Sequence, residues 1–398
     1  MDYKSVFDYE LKGKTVFLKT DLNSSVVEGR VVISSRLREH SKTIYALSEE
    51  GAKVVVLSHQ GRPGEGGFIG LKRHADFIKK FIGKPVKFVK WDEDYVSAVR
   101  GLRNSEVLVL DNTRFQKEEQ EKKTPEEHAN DPFIKKLGPL GGLFVQDALS
   151  VCHRSHASVV GFKKYMPCVV GPVLGKELEA LDGLKEKGNG DKLVVLGGAK
   201  LSDSVELLSG MLDSGLADKA CVGGLFGELF LRAKGVEFGS KDKFFKKQGF
   251  DELLPKARKL LDKHSGKLVL PEDFAVAQGN GRKELKISDL PSEKDMMDIG
   301  TATTELFKKH IRASKLIVFN GPMGVYENKA FAIGTKKILE AIAFHRCYSI
   351  IGGGDTERAL TSFGLVPQDF SHVSLAGKAL LQLLSGKPLP GLEILEAK

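Results

Sequence analysis

Residues 349–360 read SIIGGGDTERAL. An apolar run meets three glycines, an acid and a threonine, and the residues that follow are spaced like the start of a helix. A short apolar run that ends in glycine and passes into a helix is the strand-to-helix corner of a parallel α/β sheet. The same grammar recurs along the chain. TVFLKTD (15–21), KVVVLSHQGRP (53–63), VLVLDNTRF (107–115) and LFVQDALS (143–150) fill the first half. KLVVLGGAK (192–200), KACVGGLFG (219–227), KLVLPEDFAV (267–276), KLIVFNGPMGV (315–325) and CYSIIGGGD (347–355) fill the second. Helix-length amphipathic segments separate these β-branched runs, which predicts an α/β fold of two doubly wound parallel-sheet domains. The length of 398 residues agrees, since domains average roughly 150 residues.

Composition narrows the class. With 41% hydrophobic and 28% charged residues, the chain reads as soluble and globular, and no apolar stretch reaches the length needed to cross a bilayer. MDYKSVFDYELKGKTV (1–16) carries charges throughout and lacks the apolar core of a signal peptide, so a cytoplasmic location is expected. Cys152, Cys168, Cys221 and Cys347 form no CxxC pair, which predicts reduced thiols rather than a zinc site or a disulfide framework. The net charge of +9 is dispersed. FIKKF (77–81) and KFFKKQ (243–248) have helical spacing with lysine on the wet face, so a small acidic substrate is favoured over nucleic acid.

In open α/β sheets ligands bind beyond the carboxyl ends of the strands. The two halves differ there. The first ends its runs in Asp21 and Asn23, His59 and Arg62, Arg114, and Asp147 with His153, Arg154 and His156 close behind; Arg36 follows RVVISS (30–35). Several guanidinium forks converging on one crevice imply a small polyanion. The second half ends its runs in Gly197-Gly198, Gly223-Gly224, Gly321 and Gly352-Gly353-Gly354, with Lys200 and Asp355 among few charges. Bare backbone at a helix N-terminus cradles phosphate oxygens, with Asp355 placed for magnesium and Thr356 for a phosphate oxygen. Equally, the glycines make a tight turn with Asp355 as N-cap. The named nucleotide fingerprints are missing: no GxGxxG follows a strand, Gly377-Lys378 lacks its P-loop partners at His372 and Ala379, and the protein-kinase set is absent. A nucleotide-dependent oxidoreductase is thereby disfavoured.

Eight segments in order resemble the phosphoglycerate kinase family: TDLN (20–23), SHQGRP (58–63), DNTRF (111–115), QDALSVCHRSH (146–156), GGAKLSD (197–203), FNGPMGVYE (319–327), IGGGDT (351–356) and SGKPLPGLE (385–393). The resemblance implies phosphoryl transfer between 1,3-bisphosphoglycerate and ADP, giving 3-phosphoglycerate and ATP, in a monomer with Mg2+ as the cofactor carried by the nucleotide. It implies that His59, Arg62, Arg114 and Arg154 grip the 3-phosphate, and that Asp21 and Asn23 hold the glycerate. Arg36 would lie by the reacting carboxylate and Lys200 would touch phosphates during transfer. Gly197, Gly198, Gly223 and Gly224 would border the adenosine, Glu327 the ribose, and Asn320, Gly353, Gly354 and Thr356 the phosphates, with Asp355 on the metal. The domains expected are 1–172 for the acid, with a tail 379–398 packing back on it, 173–190 as connecting helix and hinge, and 191–378 for the nucleotide. KGNGDK (187–192) reads as a flexible entry to the last.

Departures from the family pattern are equally plain. Lys19 replaces arginine ahead of Asp21, QDAL (146–149) replaces NDAF, and Ser204 replaces a second phosphate-binding lysine. SLAGKAL (374–380) replaces Ser-Thr-Gly-Gly-Gly-Ala-Ser, placing Leu375, Ala376 and Lys378 where bare backbone is usual. Lys378 either supplies a cation in place of glycine amides or points to solvent and leaves a slower enzyme. A degenerate homologue that binds without transferring phosphate is the alternative, disfavoured because Arg36, Lys200 and Asp355 are all retained.

Overall fold

The computed structural model describes residues 3–186, 191–279 and 281–398; the predicted flexible entry at 187–190 lies outside them. The chain divides into two compact units, Met1–Glu179 with Pro388–Lys398, and Ala180–Lys387.

The first unit is built on six parallel strands: β1 (Thr15–Lys19), β2 (Lys53–Leu57), β3 (Val86–Val89), β4 (Val107–Leu110), β5 (Leu143–Gln146) and β6 (Cys168–Val170), in the order β3-β4-β2-β1-β5-β6. Val16 stands against Val54 and Leu143, and Leu18 against Val56 and Val145. Because side chains alternate across a strand, these residues share one face with Leu37, Ile44 and Leu47 of α1 (Ser35–Glu49). Phe17 and Phe144 point the other way and stack on Phe162 at 5.0 and 5.3 Å. The strands are thus buried on both faces, as continuous apolar runs require.

Helix α2 (Pro172–Glu186) carries the chain from the first unit into the second, the division falling between Glu179 and Ala180. The second unit contains β7 (Lys192–Leu196), β8 (Lys219–Val222), β9 (Leu268–Val269), β10 (Asp273–Gln278), β11 (Gly281–Lys286), β12 (Met296–Ile299), β13 (Leu316–Asn320), β14 (Tyr348–Gly352) and β15 (His372–Val373). Six run parallel in the order β9-β8-β7-β13-β14-β15, while β11-β10-β12 form a separate antiparallel sheet.

Two expectations change here. The run 267–276 is not one parallel strand: it breaks at Pro271, which has no N–H for a ladder, into the edge strand β9 and the antiparallel β10. The second unit also reaches Lys387 rather than 378. Helix α6 (Lys378–Leu384) packs on α3 (Leu201–Asp213), where a side chain at Gly210 would sit 2.5 Å from the Cα of Ser385. From Pro388 onward the chain lies on the first unit. There Gly391 N donates to Cys152 O and Glu396 N to Cys168 O, both at 2.9 Å. FIKKF and KFFKKQ fall in helices, Lys72–Ile82 and Ser240–Lys247. The four cysteines are free thiols.

Candidate functional site

In the first unit, the predicted substrate residues gather where β1, β2, β4 and β5 end. Asp21 is buried and accepts from Arg36 at 3.0 Å, from Ser150 Oγ at 2.6 Å and, through Oδ1, from Asn23 N at 3.0 Å. Asn23 Oδ1 in turn accepts from Gly61 N at 2.9 Å. Arg114 donates to Gly61 O, so the β1 corner and the β4 corner are held by one glycine. Asn112 fixes the same turn, accepting from Gln60 N at 3.2 Å and Arg114 N at 3.1 Å.

Charge follows geometry. Burial alone would raise the Asp21 carboxyl, but Arg36 and then the Ser150 hydroxyl outweigh it and hold it far below the usual carboxylate range. Burial pushes the His59 imidazole well down despite Asp21, with Arg114 adding to the fall, so His59 is a neutral donor at pH 7. Burial, then Arg154, lowers the Arg114 guanidinium to about 10. Burial and the charge of Arg62 likewise lower Arg154. The Arg114 Nε is buried with no hydrogen-bond partner among the described residues. A crowded set of cations with an orphaned donor is a site shaped for an anion.

Asp147 behaves differently from its neighbours in the sequence. It is wholly buried, bonded to His40 Nδ1 at 2.8 Å and accepting from Val173 N at 2.7 Å, so it anchors α1 and the start of α2. His156 is held neutral by burial, then by Lys19, which bring it down to about 3. Sequence reasoning passed over His40, Ser150 and Glu119, whose roles arise from contacts 6 to 129 positions away in the chain and carry no local signal.

In the second unit the glycines cluster at the ends of β7, β8, β13 and β14. Gly197 N donates to Asn320 O at 3.0 Å and Gly198 N to Pro322 O at 2.7 Å, stitching β7 to the loop after β13. A Cβ on Gly197 would stand 2.2 Å from Pro322 O, so glycine is required there by the chain's own packing. Gly223 packs likewise against Met323, and Gly224 opens α4 (Gly224–Ala233).

The GGGDT corner is different. Gly353 has φ +97 and lies against Asn320 Oδ1, 2.9 Å from where a Cβ would be. Gly354, the first residue of α5 (Gly354–Phe363), has no atom within 4 Å of its Cβ position. Its backbone faces open space at a helix N-terminus, where amides and dipole favour an anion. Gly353, not Asp355, occupies the N-cap position. Asp355 instead pairs with Arg358 and stands 3.8 Å from Lys200, whose side chain is 74% exposed and free to reach a ligand. Thr356 is buried, its Oγ1 accepting from Gly321 N at 3.1 Å, and so ties two corners together. Glu327 is exposed on the loop after β13.

Lys378 is paired: its Nζ donates to Asp203 Oδ1 at 2.7 Å. Ser204, beside Asp203, is buried and offers no charge to a ligand. Among the described residues no group of three or more His, Cys, Asp or Glu side chains is placed to hold a metal. One carboxylate beside the open amides of a helix N-terminus nonetheless suits Mg2+, which keeps most of its waters and binds through substrate phosphates. Asp355 meets that description.

A family model described as phosphoglycerate kinase matches residues 6–387. A phosphoglycerate kinase of Methanopyrus kandleri is 36% identical over 97% of this chain and 95% of its own length. One from Pyrobaculum aerophilum is 38% identical over 96% of this chain and 93% of its own. The crystal structure of phosphoglycerate kinase from Pyrococcus horikoshii superposes with a TM-score of 0.92 at 33% identity, covering 98% of each chain. A structure of phosphoglycerate kinase from Coxiella burnetii gives 0.80 at 32% identity, again over 98% of each chain. No helix among the described residues is long and apolar enough to cross a membrane.

Proposed function

The chain belongs to the phosphoglycerate kinase family and carries out the ATP-dependent interconversion of 1,3-bisphosphoglycerate and 3-phosphoglycerate; from this premise we propose how its residues divide the work. The arginine crevice takes the glycerate phosphate and the glycine corners take ADP or ATP. The observation that carries this division is the contrast itself. The first unit gathers Arg36, Arg62, Arg114 and Arg154 around Asp21 and His59. The second offers open backbone at Gly354 with Lys200 and Asp355 beside it.

In the proposed assignment, His59, Arg62, Arg114 and Arg154 bind the 3-phosphate, and Asp21 and Asn23 orient the glycerate. Gly197, Gly198, Gly223 and Gly224 border the adenosine, Glu327 meets the ribose, and Asn320, Gly353, Gly354 and Thr356 shape the phosphate corner. A carboxylate acceptor already carries its negative charge, so no general base is needed; what remains is alignment and charge stabilisation. Arg36 and Lys200 supply the cations at the transferred group, backed by the α5 amides. Asp355 would hold the magnesium that accompanies the nucleotide, and that ion would supply neutralisation of the phosphate charge.

Because acyl phosphates are lost to water, the two units close during transfer, with the hinge in α2, Met1–Glu179 and Pro388–Lys398 holding the acid and Ala180–Lys387 the nucleotide. The protein is proposed to work as a cytoplasmic monomer. Calorimetric titration of two variants tests the division. Arg114→Ala should weaken 3-phosphoglycerate about tenfold or more and leave MgADP unchanged, Asp355→Asn the reverse. Loss of both ligands in either variant would contradict it.

A further inference from the structure

Under the arginine crevice lies a buried ion pair outside the assignments above. Lys19 and Glu119 are each 1% exposed. Glu119 Oε1 accepts from Thr113 Oγ1 at 3.0 Å and from Ser158 Oγ at 2.6 Å, and Oε2 accepts from Ser158 N at 2.8 Å. Lys19 Nζ donates to the same Ser158 Oγ at 2.6 Å and stands 4.0 Å from Glu119 Oε1. The one hydroxyl proton of Ser158 goes to the carboxylate while its oxygen receives the ammonium, which fixes its orientation. The Glu119 backbone carbonyl adds a bond from Ala157 N at 3.1 Å.

This carboxylate is joined to the segments that carry Asp21, His59, Arg114 and Arg154. Thr113 precedes Arg114, and its amide donates to Ser58 O, next to His59, at 2.9 Å. Ser158 closes the segment that starts at Arg154, and Lys19 ends β1 two residues before Asp21. The arginines repel one another: burial and Arg154 act against the charge of Arg114, and Glu119 opposes them. Like charges stay at a spacing that matches one phosphate only if the backbone beneath them is fixed. A buried pair contributes little net stability by itself, whereas one that ties four chain segments together preorganises a site.

We propose that Glu119, with Lys19 as its counter-ion, is the positioning residue that sets the spacing of Arg114 and Arg154 for the substrate phosphate. The inference rests on those arginines binding the acid. The test is steady-state kinetics and thermal melting of Glu119→Gln, of Lys19→Met/Glu119→Gln, and of Arg114→Ala as the reference. Glu119→Gln is expected to raise the KM for 3-phosphoglycerate about tenfold, as loss of a hydrogen bond to a charged acceptor does, with the KM for ATP within about twofold. The double variant, which removes both charges, should regain the wild-type Tm yet keep the raised KM. If Glu119→Gln fails to fold, the double variant gives the same reading. Glu119→Gln with wild-type KM values beside an impaired Arg114→Ala overturns the inference alone. So does a double variant in which Tm and KM return together. A wild-type KM in Arg114→Ala removes the arginine assignment and the inference with it.

Discussion

The ammonium of Lys378 donates to Asp203 at 2.7 Å, joining the first residue of α6 to the first turn of α3. Lys200 immediately precedes α3 and stands 3.8 Å from Asp355 at the start of α5, so two lysines and two aspartates alternate around the glycine corners. Lys378 therefore does not stand free: it pairs with a carboxylate.

Removing either partner of that pair should change nucleotide binding in opposite directions. Lys378→Gly leaves Asp203 uncompensated near an incoming polyphosphate and raises the KM for ATP. Asp203→Asn releases the ammonium and lowers it. With side chains 49% and 25% exposed, both changes should stay within about fivefold and shrink as salt rises. Steady-state kinetics at two ionic strengths checks this, and shifts of the same sign would count against it.

Gly353→Ala should damage the nucleotide half alone. At φ +97 an L residue is strained by about 1–2 kcal/mol, and its Cβ would press on Asn320 Oδ1 at 2.9 Å. The expected outcome is a lower Tm, a KM for ATP raised about tenfold, and an unaltered KM for 3-phosphoglycerate. An unchanged KM for ATP would show that ligand does not approach this corner.

Glu228 on α4 makes stability fall as pH rises from about 4 toward about 8. It is buried, its Oε2 has no hydrogen-bond partner among the described residues, and Lys241 is 3.9 Å away. Burial pushes the carboxyl up to about 8, with Lys241 and Arg232 opposing and Asp295 and Asp242 adding. The folded state thus keeps a proton that the unfolded chain releases near pH 4. This contribution is full below that pH and is lost as pH rises toward 8, by at most about 1.4 kcal/mol per unit. Glu228→Gln should match wild type in Tm at pH 5 and exceed it at pH 8; an equal loss at both would refute the assignment.

Much of this was legible in the sequence because fully buried parallel strands are apolar throughout. β1, β2, β4, β5, β7, β8, β13 and β14 each stand out as a run ending in polar or glycine residues. The edge strands were not. VKFV at Val86–Val89 has Lys87 on its wet face, and His372–Val373 is two residues long. The antiparallel sheet was hidden because FAV after Pro271 looks like a continuation of β9.

The candidate site followed the same rule. Asp21, Asn23, Arg114 and Asp355 sit directly at strand ends, where position alone suggests a role. Glu119 lies in a charged stretch, QKEEQEKK (116–123), that reads as solvated surface. Its burial depends on Ser158 and Lys19, which are distant in sequence, and no local pattern announces such a contact. The glycines mixed two causes: Gly197 is dictated by Pro322, whereas Gly354 is open.

Arg36, 3.0 Å from Asp21, gives the most direct test of the division of labour. The measurement is kcat of Arg36→Ala in 3-phosphoglycerate-dependent ATP turnover with magnesium and both substrates saturating, with calorimetric ADP affinity taken alongside. The expected result is a kcat about 100-fold lower or more and an ADP affinity within about twofold of wild type. A wild-type kcat would contradict the assignment of Arg36 to the transferred group and, with it, the reading of the arginine crevice as the place where the acid is held for transfer.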